Sequence, residues 1–124
     1  MPGERPAPQR NRFPQSARLK RAWEFERTRA EGQRLAKGCL ILNWRFAEAP
    51  SRLGVVTSKK IGGAVARSRA RRLLRETFRL HRRELQSAEI VLVARNSIAG
   101  KDFAQVERDF LNAARQARLL RQNA

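Results

Sequence analysis

The chain has 124 residues, with 28 Lys and Arg against 11 Asp and Glu, a formal net charge of +17. That length suits one domain, and a compact domain so charged repels itself unless a polyanion neutralises it. No apolar run approaches the roughly 20 residues of a bilayer crossing, Pro2, Pro6 and Pro8 interrupt any secretory core, and Cys39 has no second Cys with which to form a disulfide or a Cys-based zinc site. A cytoplasmic protein that binds a polyanion is therefore expected, with no membrane partner.

Residues 1–16 hold four of the five prolines and no periodic pattern, and read as a flexible basic arm preceding a single domain over 17–124. Phe13, near its end, is an aromatic available to dock on the domain or on RNA. Ser16 is placed to cap a short helix that runs through Leu19, Trp23 and Phe25 and ends near Gly32. From Arg34 to Phe46 the alternation reads as one long strand. Leu40, Leu42, Trp44 and Phe46 lie on its core face; Cys39, Ile41, Asn43 and Arg45 lie on a more open one. Leu53–Ser58 reads as a second strand, and its short connection predicts an antiparallel hairpin with the first.

The basic loop Lys59-Lys60-Ile61-Gly62-Gly63 leads into a long helix, from about Ala64 to Arg83. Ala66, Ala70, Leu73, Leu74, Thr77, Phe78 and His81 share one arc of it, with Arg71, Arg75, Arg79 and Arg82 opposite. Glu89–Arg95, whose Ile90-Val91-Leu92-Val93 run is continuously apolar, predicts a strand buried on both faces and parallel to a strand before the long helix. Phe103, Val106, Phe110, Leu111 and Ala114 predict a last helix to about Leu120.

The densest chemistry lies between Lys59 and Arg83, with ten basic residues and a single acid, Glu76. A solvated helix face mixes signs to form i,i+4 pairs. This one repeats like charges, next to loop amides that also favour anions. Nucleic-acid binding, to RNA or DNA, is the function that chemistry supports. Catalytic groups are scarce. His81 lies in the apolar arc, Cys39 has no partner in sequence, and neither Glu24 and Glu26 nor Glu107 and Asp109 converge as a carboxylate pair would. An independent nuclease is thus disfavoured. Phe25, among Arg18, Lys20, Arg21, Arg27 and Arg29, is either a stacking platform for single strands or a core residue.

The run from Gly54 to Glu76, with Thr57-Ser58-Lys59-Lys60-Ile61-Gly62 and Arg67-Ser68-Arg69-Ala70-Arg71-Arg72-Leu73-Leu74-Arg75 at its heart, resembles the signature of the bacterial ribonuclease P protein subunit. The likeness extends over roughly residues 16–120. Two positions depart from it: Ser68 stands where the Arg-Asn-Arg motif has Asn, and Arg29 where a second aromatic often follows Phe25. The resemblance implies an α+β fold, a two-layer α/β sandwich whose mixed sheet has a left-handed β-α-β crossover, similar to a domain of ribosomal protein S5. It implies an endoribonuclease holoenzyme that removes the 5′ leader of precursor tRNA, with hydrolysis performed by the RNA subunit and its Mg²⁺. Lys59, Lys60, Arg67, Ser68, Arg69, Arg71, Arg72 and Arg75 would bind the catalytic RNA. Phe13, Phe25, Arg29 and Asn43 would line a leader cleft, with no catalytic or metal-binding residue on the protein and no DNA partner. A ribosomal or general RNA-binding protein is the alternative that the same charge allows.

Overall fold

The computed structural model describes residues 15–121. Phe13 and most of the arm lie outside them. Three helices, α1 (Ala22–Glu31), α2 (Ala64–His81) and α3 (Phe103–Gln116), accompany four strands, β1 (Gln33–Lys37), β2 (Leu40–Phe46), β3 (Arg52–Val56) and β4 (Ala88–Ala94). The strands form one mixed sheet in the order β1-β2-β4-β3. β4 is antiparallel to β2 and parallel to β3, so the long helix α2 is the crossover of a β-α-β unit, as the spacing predicts.

Two expectations are corrected. Residues 34–46 are not one strand: Gly38, at φ 55°, turns the chain into the β1–β2 hairpin. Asp109 of α3 secures that turn, its Oδ2 accepting the Cys39 backbone N–H at 2.9 Å. Nor do β2 and β3 pair with each other, because β4 lies between them. The most apolar strand takes the position in which both faces are covered, and its Ile90, Val91 and Leu92 are fully buried. The connection from β2 therefore spans β4. The Ala47 amide donates to Ser87 O, while Ser51 Oγ donates to Gln86 O and accepts from the Ala88 amide.

Period-2 alternation divides the sheet into two faces. Leu40, Leu42, Trp44, Leu53, Ile90 and Leu92 meet Leu74 and Phe78 of α2 and Val106 and Phe110 of α3 in the main core. Phe46, assigned to this face, ends up 47% exposed at the end of β2. Helix α1 packs on the opposite face. Its start is not capped by Ser16, which sits in a 3-10 turn (Gln15–Ala17). The Glu24 carboxylate reaches back instead and accepts the Lys20 and Arg21 amides at 2.9 and 3.1 Å. Leu19, expected within the helix, precedes it and is buried, its amide donating to Leu53 O. α2 starts at Ala64 as predicted and gives way to a 3-10 turn at Arg82. α3 stops at Gln116, short of the predicted Leu120, and Arg118 follows with φ 61°.

Candidate nucleic-acid interface

The face carrying α1 is built in rows, because residues paired across strands project their side chains to the same side. Arg45, Glu89 and Arg52 form one row; Asn43, Val91 and Gly54 the next; Ile41, Val93 and Val56 the third. Each row has a different character.

The first row is electrostatically closed. Glu89, only 8% exposed, accepts Arg27 of α1 at 2.8 Å, Arg45 of β2 at 2.9 Å and Arg52 of β3 at 2.6 Å. Arg52 also pairs with Glu24 at 2.9 Å. Burial pushes the Glu89 carboxyl up, but the donors from Arg52, Arg45 and Arg27 together outweigh it and hold it at about 2. Arg27 lies in addition over the half-exposed Trp23 ring, 4.9 Å from its centroid. This node joins α1 to three strands and removes Arg27, Arg45 and Arg52 from the pool of free cations. Sequence reasoning missed it.

The second row lies under Phe25. Asn43 is 3% exposed and its Nδ2 donates to Val91 O at 3.3 Å. Gly54 is buried because the Phe25 ring occupies the space its side chain would need. Phe25 itself stays partly exposed, and Arg29, one turn further along α1, is exposed. The third row, Ile41, Val93 and Val56, is partly exposed, an apolar strip beside Phe25.

Basic groups border that strip at the β3 edge. Arg18 bridges to Leu53 along β3. Arg71 Nη1 donates to Thr57 Oγ1 at 2.9 Å, just past the strand, and its Nη2 to Ser68 Oγ at 3.1 Å. Arg75 is held below the ordinary guanidinium range by burial first, then by the like charges of Arg18 and Arg71. Arg18, Arg71 and Arg75 thus lie near one another at this edge of the sheet. Lys59 and Lys60 stand exposed in the 3-10 turn before α2, whose N-cap is Gly63. Ser68 and Arg72 are exposed and Arg67 is half-buried. Arg69 turns to the other side of the helix, its Nη2 donating to Lys101 O.

The predicted site residues therefore separate. Lys59, Lys60, Arg67, Ser68, Arg71, Arg72 and Arg75 belong to the first half of α2 and its loop, with Arg69 tied to the loop before α3. Phe25 and Arg29 form the α1 wall, over a floor that contains Asn43. The stripe Arg71, Arg75, Arg79 and Arg82 is not uniformly free: Arg79 pairs with Glu76 and Arg82 Nε donates to Ser51 O. His81 has a structural role, its Nε2 lying 2.7 Å from Glu107 Oε2 and joining α2 to α3.

Comparison with known proteins agrees with this fold. The ribonuclease P protein component of Gluconacetobacter diazotrophicus is 36% identical over 104 residues, covering 81% of this chain and 90% of that one. The corresponding component of Xanthomonas oryzae pv. oryzae is 35% identical over 107 residues, covering 86% of this chain and 74% of the other. The solved structure of the Staphylococcus aureus RNase P protein superposes with a TM-score of 0.77 at 25% identity, over 85% of this chain and 98% of that one. With the family model for ribonuclease P matching residues 13–118 as well, the chain belongs to the ribonuclease P protein component family.

Proposed function

We propose that this chain binds the catalytic RNA of ribonuclease P through the first half of α2 and the loop before it. We propose further that it holds the single-stranded 5′ leader of precursor tRNA across the strip beside α1. In this reading it promotes endonucleolytic removal of the leader while the RNA performs the hydrolysis. The observation that carries the reading is the partly exposed Ile41, Val93 and Val56 strip, set between the Phe25 ring and the crowded cations Arg18, Arg71 and Arg75. Single strands are held in this way: bases stack on aromatic surface while guanidiniums neutralise phosphates. Arg71, steadied by Thr57, presents its fork in a fixed direction. Arg29 adds charge on the Phe25 side of α1, and Asn43 keeps the floor rigid through its bond to Val91 O. Phe13 belongs to the same cleft in this reading and lies outside the described residues.

In this reading Mg²⁺ is held mainly by the RNA. Glu24 and Glu89 are already bonded to arginines or backbone amides, and the described residues bring no three His, Cys, Asp or Glu side chains together as a metal site. What this chain contributes is position and charge. Cleavage of precursor tRNA by RNA alone, protein alone and both together tests the reading. The pair should cleave at lower Mg²⁺ than RNA alone, and protein alone should be inert. Cleavage by protein alone, or no effect of protein on the RNA-driven reaction, would overturn it.

A further inference from the structure

A second basic site lies at the opposite end of α2. There the β2–β3 turn, the 3-10 turn after α2 (Arg82–Glu84) and the last described residue meet. A cleft of about 390 Å³ is lined by Arg82, Arg83 and Arg121 against the apolar walls of Pro50 and Leu85, and no carboxylate lines it among the described residues. Two of these arginines are aimed by their inner nitrogens. Arg82 Nε donates to Ser51 O at 3.2 Å, and Arg121 Nε donates to Leu85 O at 2.8 Å. Both bonds fix the guanidinium plane and leave its terminal Nη donors unspent within the described residues. Arg83 is exposed with no bonded side-chain partner there. Glu84 lines a neighbouring cleft, where its carboxylate lies 3.1 Å from His81 Nδ1.

The aromatic that a nucleotide needs is adjacent. Phe46 is 47% exposed and, with Glu48, Gln86 and Arg121, lines a cleft of about 750 Å³ that shares Arg121 with the first. Fixed guanidinium forks with unspent donors match phosphate oxygens, and an exposed ring beside them offers a base its face.

We propose that this corner is a second binding site for single-stranded RNA, with phosphates held by Arg82, Arg83 and Arg121 and a base stacked on Phe46. The 18 residues of α2 put its two ends about 27 Å apart at ~1.5 Å per residue, and Arg82 lies about 10 Å along the axis beyond Arg75, the nearest residue of the first interface. The protein then clamps two RNA segments at once, one at each end of the same helix. The inference rests on the RNA-binding reading above and extends it to a face that reading does not use.

The test compares salt dependence of affinity for the full chain. It is titrated with the cognate catalytic RNA alone, and with precursor tRNA on the assembled holoenzyme. The variant Arg82→Gln/Arg83→Gln/Arg121→Gln should flatten the slope of log K against log salt by about 2 units, since each single-strand phosphate contact contributes ~0.7. Flattening in the first titration identifies the catalytic RNA as the occupant, and in the second only, the precursor tRNA. Phe46→Ala should weaken the same titration by about fivefold or more with its slope unchanged. Because Arg82 and Arg121 also hold backbone carbonyls, Arg83→Gln is measured alone, and it should still flatten the slope by ~0.7 in a protein of unchanged melting temperature. Unchanged slopes for both Arg variants, while Arg67→Ala/Arg69→Ala flattens the slope, would overturn this site and leave the first interface standing. Unchanged slopes for all three would overturn both.

Discussion

Phe25 occupies the volume that any side chain at residue 54 would need: a Cβ built on Gly54 would lie 2.5 Å from the ring Cζ. The glycine is what lets an aromatic from α1 rest directly on the sheet, at the border between the buried row and the exposed strip. Gly54→Ala should therefore lift the ring from its seat and change leader binding without touching the residues proposed to bind the catalytic RNA. The expected result is a smaller ratio of precursor to mature tRNA affinity, measured on the holoenzyme. A ratio equal to wild type would mean that the ring position does not matter to the leader.

Removing the ring gives the complementary result. Phe25→Ala should cost about 1–3 kcal/mol in precursor tRNA affinity, as for one stacked base, and leave mature tRNA unaffected. Its stability cost should fall below the ~3–5 kcal/mol of a fully buried Phe, because the ring is only partly buried. Thermal melting beside the two titrations separates stacking from packing.

Acid should dismantle the Glu89 node. The carboxyl ordinarily titrates at 4.5 and is held at about 2 here. The stabilisation is thus complete above pH 4.5 and is lost as pH falls toward 2, an amount of about 3 kcal/mol. Urea unfolding at pH 6 and at pH 2.5 measures it. Glu89→Gln should be less stable than wild type at pH 6, since it leaves three guanidiniums facing a neutral amide, and the difference should shrink at pH 2.5. A constant difference across that range would contradict the assignment.

Double replacement Arg71→Ala/Arg75→Ala should flatten the salt slope for the catalytic RNA by roughly 1–2 units. A face that is merely solvated would leave the slope unchanged and could gain stability from relief of like charge at i,i+4.

The Cys39 thiol should be inert in the native protein. Burial, followed by the neighbouring Asp109 carboxylate, pushes it up to about 12, so thiolate at pH 8 is negligible. Alkylation should proceed at the rate of unfolding and accelerate in urea. Rapid labelling of the folded chain would show that the β1–β2 turn opens.

Much of this was legible in the chain. The helix of 64–81, the buried strand at 88–94 and the parallel β-α-β unit follow from period and apolar content, and the Gly54–Glu76 run identified the family. What was hidden depended on neighbours far away in sequence. Gly38 looked like one residue in an alternating run until its φ 55° turned the chain back. The β2–β3 hairpin was a sound local inference that a more apolar strand, 32 residues beyond Val56 by the numbering of Ala88, displaced. Glu89 did carry a signal: one acid at the head of a strand buried on both faces must find cations. Its partners at 27, 45 and 52 could not be chosen among 28 basic residues without the fold.

The central place of β4 also governs when the molecule can form. Every pairing across the middle of the sheet needs residues 88–94, so β2 and β3 have no common neighbour until β4 is in place. The nascent chain has only the β1–β2 hairpin and local helix to build on, and closing the sheet joins Arg52 to Glu89 across 37 residues of sequence. Cohesion therefore arrives late and at once, after the arginine-rich α2 has already been synthesised. A polyanion present at that moment would screen the repulsion along α2 while the sheet closes, so RNA added during refolding should speed acquisition of native structure as well as bind its product.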